Sequence, residues 1–434
     1  MSSNSAAWWG QHGWAHQAAT ASPLFQHETT VLPAVSSRRR QVKQTTRKQA
    51  LVAVLVYSAL YGVVTTSKAQ SQTASATEAG TKIVKIGVAG PLTGGLAHFG
   101  KDNENGARLA VEEVNKTGLT IGGQRITLVL DAQDDAADPK TGTQVAQRLV
   151  DDGVVAVVGH YNSGVSIPAS RIYSDAGIAQ ISPASTNPDY TLQGFKTTFR
   201  LVATDAAQSP TLAAYAVKKL GIKRLAVVDD ATQAGKGQAD EFARPAKAAG
   251  VAIVAREATT STATDFKAIL TTIKAARPDT IYFGGTDQGA GPFAKQAIGL
   301  GITARILGSD GICTEKMAEL AGDAARNVVC SEAGMPISRM SQGAAFNAKY
   351  QARFGRPLVL YAPFTYDAVY VIVDAMKHSN SLDPSKILDA IHKTDYVGIT
   401  GHIMFDAKGD ITEPAISIFD FKDNKKTLLD VVKM

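Results

Sequence analysis

The chain has 434 residues, 44% of them hydrophobic and 19% charged, an ordinary globular composition that excludes a disordered or collagen-like chain and allows more than one domain. Its net charge of +6 resides entirely in residues 1–69, where Arg38, Arg39, Arg40, Lys43, Arg47, Lys48 and Lys68 stand against Glu28 alone. The remainder is neutral, so electrostatic binding to a phosphate backbone loses its warrant and no nucleic-acid partner is expected.

Behind the basic cluster comes QALVAVLVYSALYGVV, uncharged and mostly apolar. At roughly 15 residues this run is short for a membrane span and fits the core of a signal peptide. Ser67 and Ala69 supply small residues at −3 and −1, so residues 1–69 are read as a leader cleaved after Ala69, with an uncleaved anchor as the alternative. Residues 1–37 fit no part of such a signal, and no Met follows Met1 before Met317; Val42 would suit a non-ATG start. The Arg run matches a twin-arginine signal poorly. With no Cys near the cleavage site for a lipid anchor, the expected location is a Gram-negative periplasm. Cys313 and Cys330 are the whole cysteine complement, and an even pair in an exported protein is most simply a disulfide, with two buried thiols as the alternative.

From Lys82 onward, β-branched runs alternate with helical stretches. IVKIGVA precedes a helix over 105–115, RITLVLD one over 140–151 and VVAVVG one over 165–176, followed by IAQIS. These runs are apolar without strict alternation, as parallel strands covered on both faces should be. After FKTTFRLVATD the pattern restarts with helices over 208–220, 238–249, 266–276 and 293–300, separated by RLAVVDD, VAIVARE and TIYFGG, then ARILGS and NVVCSEA. Asp138 before Pro139 should open one helix, and Gly177, Gly221, Gly250 and Gly301 should close others. A helical block over 338–392 and a last β segment, HIMFDAKGDITEPAISIFDF, complete the chain. The pattern predicts an α/β chain of two doubly wound lobes with no flexible linker between them, which favours several crossovers over one. Ligands of such sheets bind beyond the carboxyl ends of the strands, in the loops.

Most candidate chemistry in those loops fails on inspection. Gly95 to Lys101 has the G-x-x-x-x-G-K skeleton of a phosphate loop, but Asp102 stands where a magnesium-binding hydroxyl is required. GHYNSG places Ser163 near His160 without the frame or spacing of a hydrolase, so no enzyme is expected. Asp131, Asp134, Asp135 and Asp138 lack calcium-loop spacing, and the histidines lack ligand spacing, so neither a metal nor a cofactor is expected. What remains are GHYNSGVSIPAS and SPASTNPDYT, which adjacent parallel strands would bring to one crevice. Their small and hydroxyl residues at helix starts suit an anion such as a carboxylate, the alternative being plain N-capping by Ser163 and Thr186. In the second lobe, GSDGI puts Asp310 where it could face an ammonium group, or serve as an ordinary loop aspartate.

Taken together, GVAGPLTGG, DDAADPK, GHYNSG, SPASTNPDYT, FRLVATDAAQSP, YFGG, GSDG, YDAVY and FDAKGD resemble the periplasmic branched-chain amino-acid-binding proteins of bacterial ABC transporters, over nearly everything from Lys82 to Val432. The resemblance implies a type I periplasmic-binding fold, two lobes joined by three crossing segments, with 82–204 plus 335–413 forming the first and 205–334 plus 414–434 the second. It implies a monomeric receptor for a free α-amino acid, of branched-chain or aliphatic type, that serves an inner-membrane ABC permease. Amide or urea binding on the same fold is the alternative. Ser163 would meet the ligand carboxylate, with the Ala184 carbonyl, the Thr186 hydroxyl and Asp310 around the ammonium. Phe99, Tyr161 and Ser185 complete the expected contacts. Ala234 and Thr286 stand where leucine-type members often have tyrosines, and Asp310 is shorter than their Glu.

Overall fold

The computed structural model describes residues 80–434. The signal core, the cleavage after Ala69 and the start at Val42 therefore lie outside the described residues. The first sheet is built from β1 (Lys82–Gly90), β2 (Leu119–Ile121), β3 (Gln124–Asp134), β4 (Ala156–Gly159), β5 (Ala179–Ser182) and β6 (Thr198–Arg200), in the order β2-β3-β1-β4-β5-β6. All its pairings are parallel except β2 with β3. Helices α1 (Ala97–Thr117), α2 (Pro139–Asp151), α3 (Ser163–Asp175) and the short α4 (Asp189–Leu192) follow successive strands. All four residues of β4 and of β5 are buried, which is why their sequences show no alternation.

After α5 (Asp205–Tyr215) the plan repeats with β7 (Arg224–Asp229), α6 (Gln233–Ala248), β8 (Ala252–Ala258), α7 (Lys267–Ala276), β9 (Thr280–Gly284), α8 (Asp287–Gly299), β10 (Arg305–Gly308), α9 (Glu315–Ala321) and β11 (Val328–Glu332). Three helices, α10 (Gly343–Phe354), α11 (Ala362–Ser379) and α12 (Pro384–Ile391), return to the first sheet's core. A small ribbon of β12 (Tyr396–Val397) and β13 (His402–Ile403) leads to β14 (Ala415–Lys422) and β15 (Lys425–Lys433), which extend the second sheet to β15-β14-β11-β10-β9-β7-β8. Both added strands run antiparallel to their neighbours. β15 was not anticipated from KKTLLDVVK, where interleaved charges conceal a half-buried edge strand.

Helix starts are where sequence and structure differ most. α6 begins at Gln233 and α8 at Asp287, each between one and two turns earlier than the apolar pattern suggested. Gly235, Gly237, Gly289, Gly291 and Pro292 lower helical propensity there, and packing outweighs them: a Cβ on Gly235 would lie 2.7 Å from the Gly284 carbonyl oxygen and one on Gly291 2.3 Å from Leu320 Cβ. The Asp138 cap is as expected, its Oδ1 accepting from Thr141 N at 2.7 Å. Where the chain passes between the two sheets, Ala203 N donates to Ala333 O at 2.9 Å and Ser417 Oγ to Gly334 O at 2.7 Å, so three passing segments are bonded side by side.

Asp102, the residue that spoiled the phosphate loop, has a structural task. Buried on α1, it accepts from the backbone N–H groups of Val359, Leu360, Tyr361 and Ala362 at 3.1, 3.0, 2.8 and 2.9 Å, and from the Tyr350 hydroxyl. It thus satisfies the free donors at the start of α11 from another helix, where Tyr361 offers no side-chain cap.

Candidate functional site

A cavity of about 730 Å³ opens between the carboxyl ends of the two sheets' strands. One wall comes from the loops after β1, β3, β4 and β5, the other from those after β7, β8, β9 and β10. Both sheets reverse strand order there, at β1 and at β7 to β9, which splays the loops into a crevice.

The first wall is fixed by a relay of hydroxyls. Ser182 Oγ donates to His160 O at 2.8 Å and accepts from Ser185 N at 2.9 Å, while Ser166 and Ser185 bond through their hydroxyls at 2.5 Å. Fully buried Arg200 holds the same loop from below, donating to Ser185 O at 2.7 Å, Asn187 O at 3.0 Å, Thr191 Oγ1 at 2.7 Å and Asp410 Oδ1 at 2.6 Å. Ala184 and Thr186 are thereby presented to the cavity, beside Ser163 and Gly164 at the start of α3. The helix opens with Asn162 as its capping position, so Ser163 is its first helical residue and neither Ser163 nor Thr186 is an N-cap. Val165 N and Ser166 N donate to Asn162 O at 2.9 and 2.8 Å, while the N–H groups of Ser163 and Gly164 have no helical carbonyl to reach, and the helix dipole favours negative charge at that point.

His160 is no general base. Its Nδ1 faces Asp135 Oδ2 at 2.7 Å and its Nε2 the Tyr173 hydroxyl at 3.1 Å, all in the core. Ser163 Oγ instead accepts from Asn187 N at 3.3 Å.

The opposite wall carries acid. Asp310 is buried, its Oδ2 accepting from the Tyr361 hydroxyl and its Oδ1 from Gln238 Nε2 at 3.4 Å. Burial pushes its carboxyl up to about 6, against the opposing effect of the Tyr361 hydrogen bond. Asp230 also lines the cavity, accepting from Thr232 N and Oγ1 at 3.0 and 2.6 Å. Behind them Asp205 is fully buried and pushed up to about 8, by burial first and by the charge of Asp310 second. Burial, then the charges of Asp310, Asp287 and Asp230, hold the Tyr161 hydroxyl well above its ordinary range, so it stays neutral. The cavity therefore has two poles: a helix N-terminus with hydroxyls on one side and, on the other, the Asp310 and Asp230 carboxyls, which have no ion-pair partner among the described residues.

Tyr161, Ser163, Ala184, Thr186, Ala234, Thr286 and Asp310 all line it. Ser185 and Phe99 do not. The Ser185 side chain is consumed in the hydroxyl relay, and fully buried Phe99 lies behind Tyr161, ring centroids 4.8 Å apart. Tyr361, Gln238 and Arg200 escaped the sequence reading, although a lone Arg inside the apolar run FRLVA was a usable signal, since a buried guanidinium must be holding something.

Comparison with known proteins bears directly on this arrangement: residues 83–426 match the family described as periplasmic binding protein. The chain belongs to the periplasmic binding protein family. Its relatives include the leucine-, isoleucine-, valine-, threonine- and alanine-binding protein of Pseudomonas aeruginosa, 32% identical over 79% of this chain and 91% of that protein. Leu/Ile/Val-binding protein homolog 1 of Brucella abortus is 33% identical over 78% and 90%. Among solved structures, the branched-chain amino acid transporter substrate-binding protein of Streptococcus pneumoniae, in complex with isoleucine, aligns with a TM-score of 0.74 at 30% identity, covering 81% of this chain and all of that one. The fold is thus the type I periplasmic-binding fold, and these relatives are branched-chain amino-acid-binding proteins of ABC transporters. Cys313 and Cys330 are joined by a disulfide.

Proposed function

We propose that this chain is a periplasmic receptor that captures a free, aliphatic α-amino acid between two closing lobes and delivers it to an inner-membrane ABC permease. The observation that carries the reading is the pair of opposed poles in one cavity. A zwitterion satisfies both at once, its carboxylate at the α3 start with Ser163, and its ammonium among the Ala184 carbonyl, the Thr186 hydroxyl and Asp310. Tyr161, Ala234 and Thr286 then bound the side chain. No step makes or breaks a covalent bond. The lobes are proposed as 82–204 plus 335–413 and 205–334 plus 414–434. One apolar cluster joining residues 84–203 to 333–416, and two others spanning 212–330 with 418–421, support this division, with Ala333 and Ile416 of the crossing segments packing into the first lobe's cluster. Export by the leader over 1–69 rests on its basic cluster, apolar run and small-residue site, and a monomer is the simplest working form.

Mass spectrometry of ligand released from purified protein, followed by calorimetry with an amino-acid panel, tests this. Binding of leucine, isoleucine or valine is expected. Ser163→Ala should weaken it roughly 10- to 150-fold, the worth of a hydrogen bond to a charged group. Binding of amides and no amino acid would overturn the assignment, and so would unchanged affinity in a folded Ser163→Ala.

A further inference from the structure

Away from the poles of the cavity, and apart from the bonds of Gln233 to Asn187 and Asp189 and of Tyr361 to Asp310, a part-buried contact joins the two lobes. Asp287 is the first residue of α8, and its side chain is entirely buried. Its Oδ2 accepts from the Thr314 hydroxyl at 2.5 Å and meets His98 Nε2 at 2.9 Å. Thr314 belongs to Asp287's own lobe, next to the Cys313–Cys330 bridge, and also caps α9 by accepting from Met317 N at 3.3 Å. His98 comes from α1 of the other lobe, 189 residues away in the chain. Neither His98 nor Asp287 lines the cavity.

The geometry points to His98 and Asp287 as a clasp across the cleft that sets how readily the lobes close, and so scales affinity for every ligand by one common factor. A carboxylate oxygen can only accept, so His98 Nε2 is the donor, and the bond exists only while the lobes are together. Backbone approach around the clasp is close: a Cβ on Gly95 would fall within 2.0 Å of the Gln288 side chain, so glycine there lets the loop after β1 settle onto the start of α8. The carboxylate also sits at a helix N-terminus, where the dipole favours its charge. Asp287 Oδ1 is buried without a hydrogen-bond partner among the described residues, so when His98 withdraws nothing in Asp287's own lobe but Thr314 compensates that carboxylate. The His98 ring lies 4.2 Å from Phe99, which stacks on cavity-lining Tyr161, so the clasp and the ligand wall rest on one aromatic run. Because the pair stands outside the cavity lining, it should not discriminate among ligands; it moves the open–closed balance, and affinity follows the closed fraction.

The ligand arm of the test rests on the amino-acid reading above, and the closure arm does not. For closure, Gly164→Cys with Gln233→Cys supplies a reporter: a Cβ built on Gly164 lies 3.4 Å from Gln233 Cβ, near the spacing a disulfide needs, so cross-linking under mild oxidation counts closed molecules without added ligand. Adding Asp287→Asn, or His98→Phe, which keeps a ring against Phe99, should slow cross-linking several-fold while the melting temperature holds. In the chain with only the native cysteines, each variant should weaken leucine, valine and alanine by the same factor, up to roughly 10- to 150-fold for one charge-assisted hydrogen bond. The double variant should lose no more than either single one. Unchanged cross-linking rates, or losses that differ from ligand to ligand, would overturn the clasp. A wild type that binds no amino acid, alongside a Gly164→Cys, Gln233→Cys reporter that cross-links faster without the clasp substitutions than with them, would remove the functional reading and leave the clasp standing.

Discussion

The hydroxyl of Tyr361 donates to Asp310 across the cleft, and the backbone N–H of the same Tyr361 donates to Asp102 Oδ2 at 2.8 Å. One residue at the start of α11 is therefore pinned to its own lobe by the main chain and reaches the other by its side chain. The carboxylate expected to hold the ligand's ammonium is thus set partly by the first lobe and partly by the second.

Affinity should consequently depend on pH. The Asp310 carboxyl is raised to about 6 from its ordinary 3.8, chiefly by burial, so the folded protein retains a proton there between those values that the unfolded chain has lost. A raised carboxyl costs stability above about pH 6, and the cost fades as pH falls toward 4. An ammonium requires the ionised form, so binding should weaken below about pH 6, by up to ~10-fold per unit. Tyr361→Phe removes a hydrogen bond that lowers this pKa, so the midpoint should move upward and affinity at neutral pH should fall. Calorimetry between pH 5 and 8 decides; a flat profile in both proteins would exclude Asp310 as the ammonium partner.

Arg200 should prove more important for stability than its distance from any ligand implies. It is fully buried and satisfies two loop carbonyls, a hydroxyl and Asp410. Arg200→Leu strands all four partners, and removing one member of a buried pair costs roughly 3–5 kcal/mol. Asp410→Asn should cost less, because Asp410 is partly exposed and an amide oxygen can still accept. Denaturant unfolding of the two variants checks the order, and equal small losses would contradict it.

The disulfide closes a loop of 17 residues by sequence separation, and joins β11 to the segment just before α9. Chain entropy alone assigns such a loop about 3 kcal/mol. Replacing both cysteines with alanine should lower the unfolding midpoint accordingly. Since Thr314 follows Cys313 and holds Asp287, closure should suffer too. Retained stability in the doubly substituted protein would show that the loop is held by packing around Met317 and Ala325 instead.

The strand–loop–helix repeat was legible because parallel strands buried on both faces, such as β4 and β9, leave unbroken apolar runs. Loops following those strands were legible for the same reason, so Ser163, Thr186 and Asp310 were found at the right edge of the sheets. Phe99 was misplaced by one layer: sequence puts it beside the cavity, and only packing tells that Tyr161 stands in front. Tyr361 and Gln238 could not be read, since each reaches Asp310 through a fold-level approach with no local signature; the Tyr361 and Asp310 positions are 51 residues apart. Asp102 was read only as the residue that breaks a phosphate-loop pattern; its role in capping α11 was invisible, because the capped residues come more than 250 positions later.

Selectivity is where this chain should part from its relatives. Ala234 and Thr286 both line the cavity and are half-buried, and neither fills the space a tyrosine would at the same backbone position. Around them the wall is made of small or polar residues, including Gly94, Gly95, Ala136 and Thr232, so a short aliphatic side chain would leave much of its surface without contacts. Unmade dispersion contacts are lost outright, which penalises valine more than leucine or isoleucine. Shape alone separates neighbours by about 1–3 kcal/mol per methylene, so leucine, isoleucine and phenylalanine should compete within roughly two orders of magnitude. Ala234→Tyr fills part of that space and should shift preference toward the smaller ligands valine and alanine, with leucine and phenylalanine losing most. A competition panel on wild type and variant reads this directly. Valine clearly ahead of leucine and phenylalanine in the wild type would mean that the lobes close tightly enough to occupy the space themselves, and that Ala234 does not set the size limit.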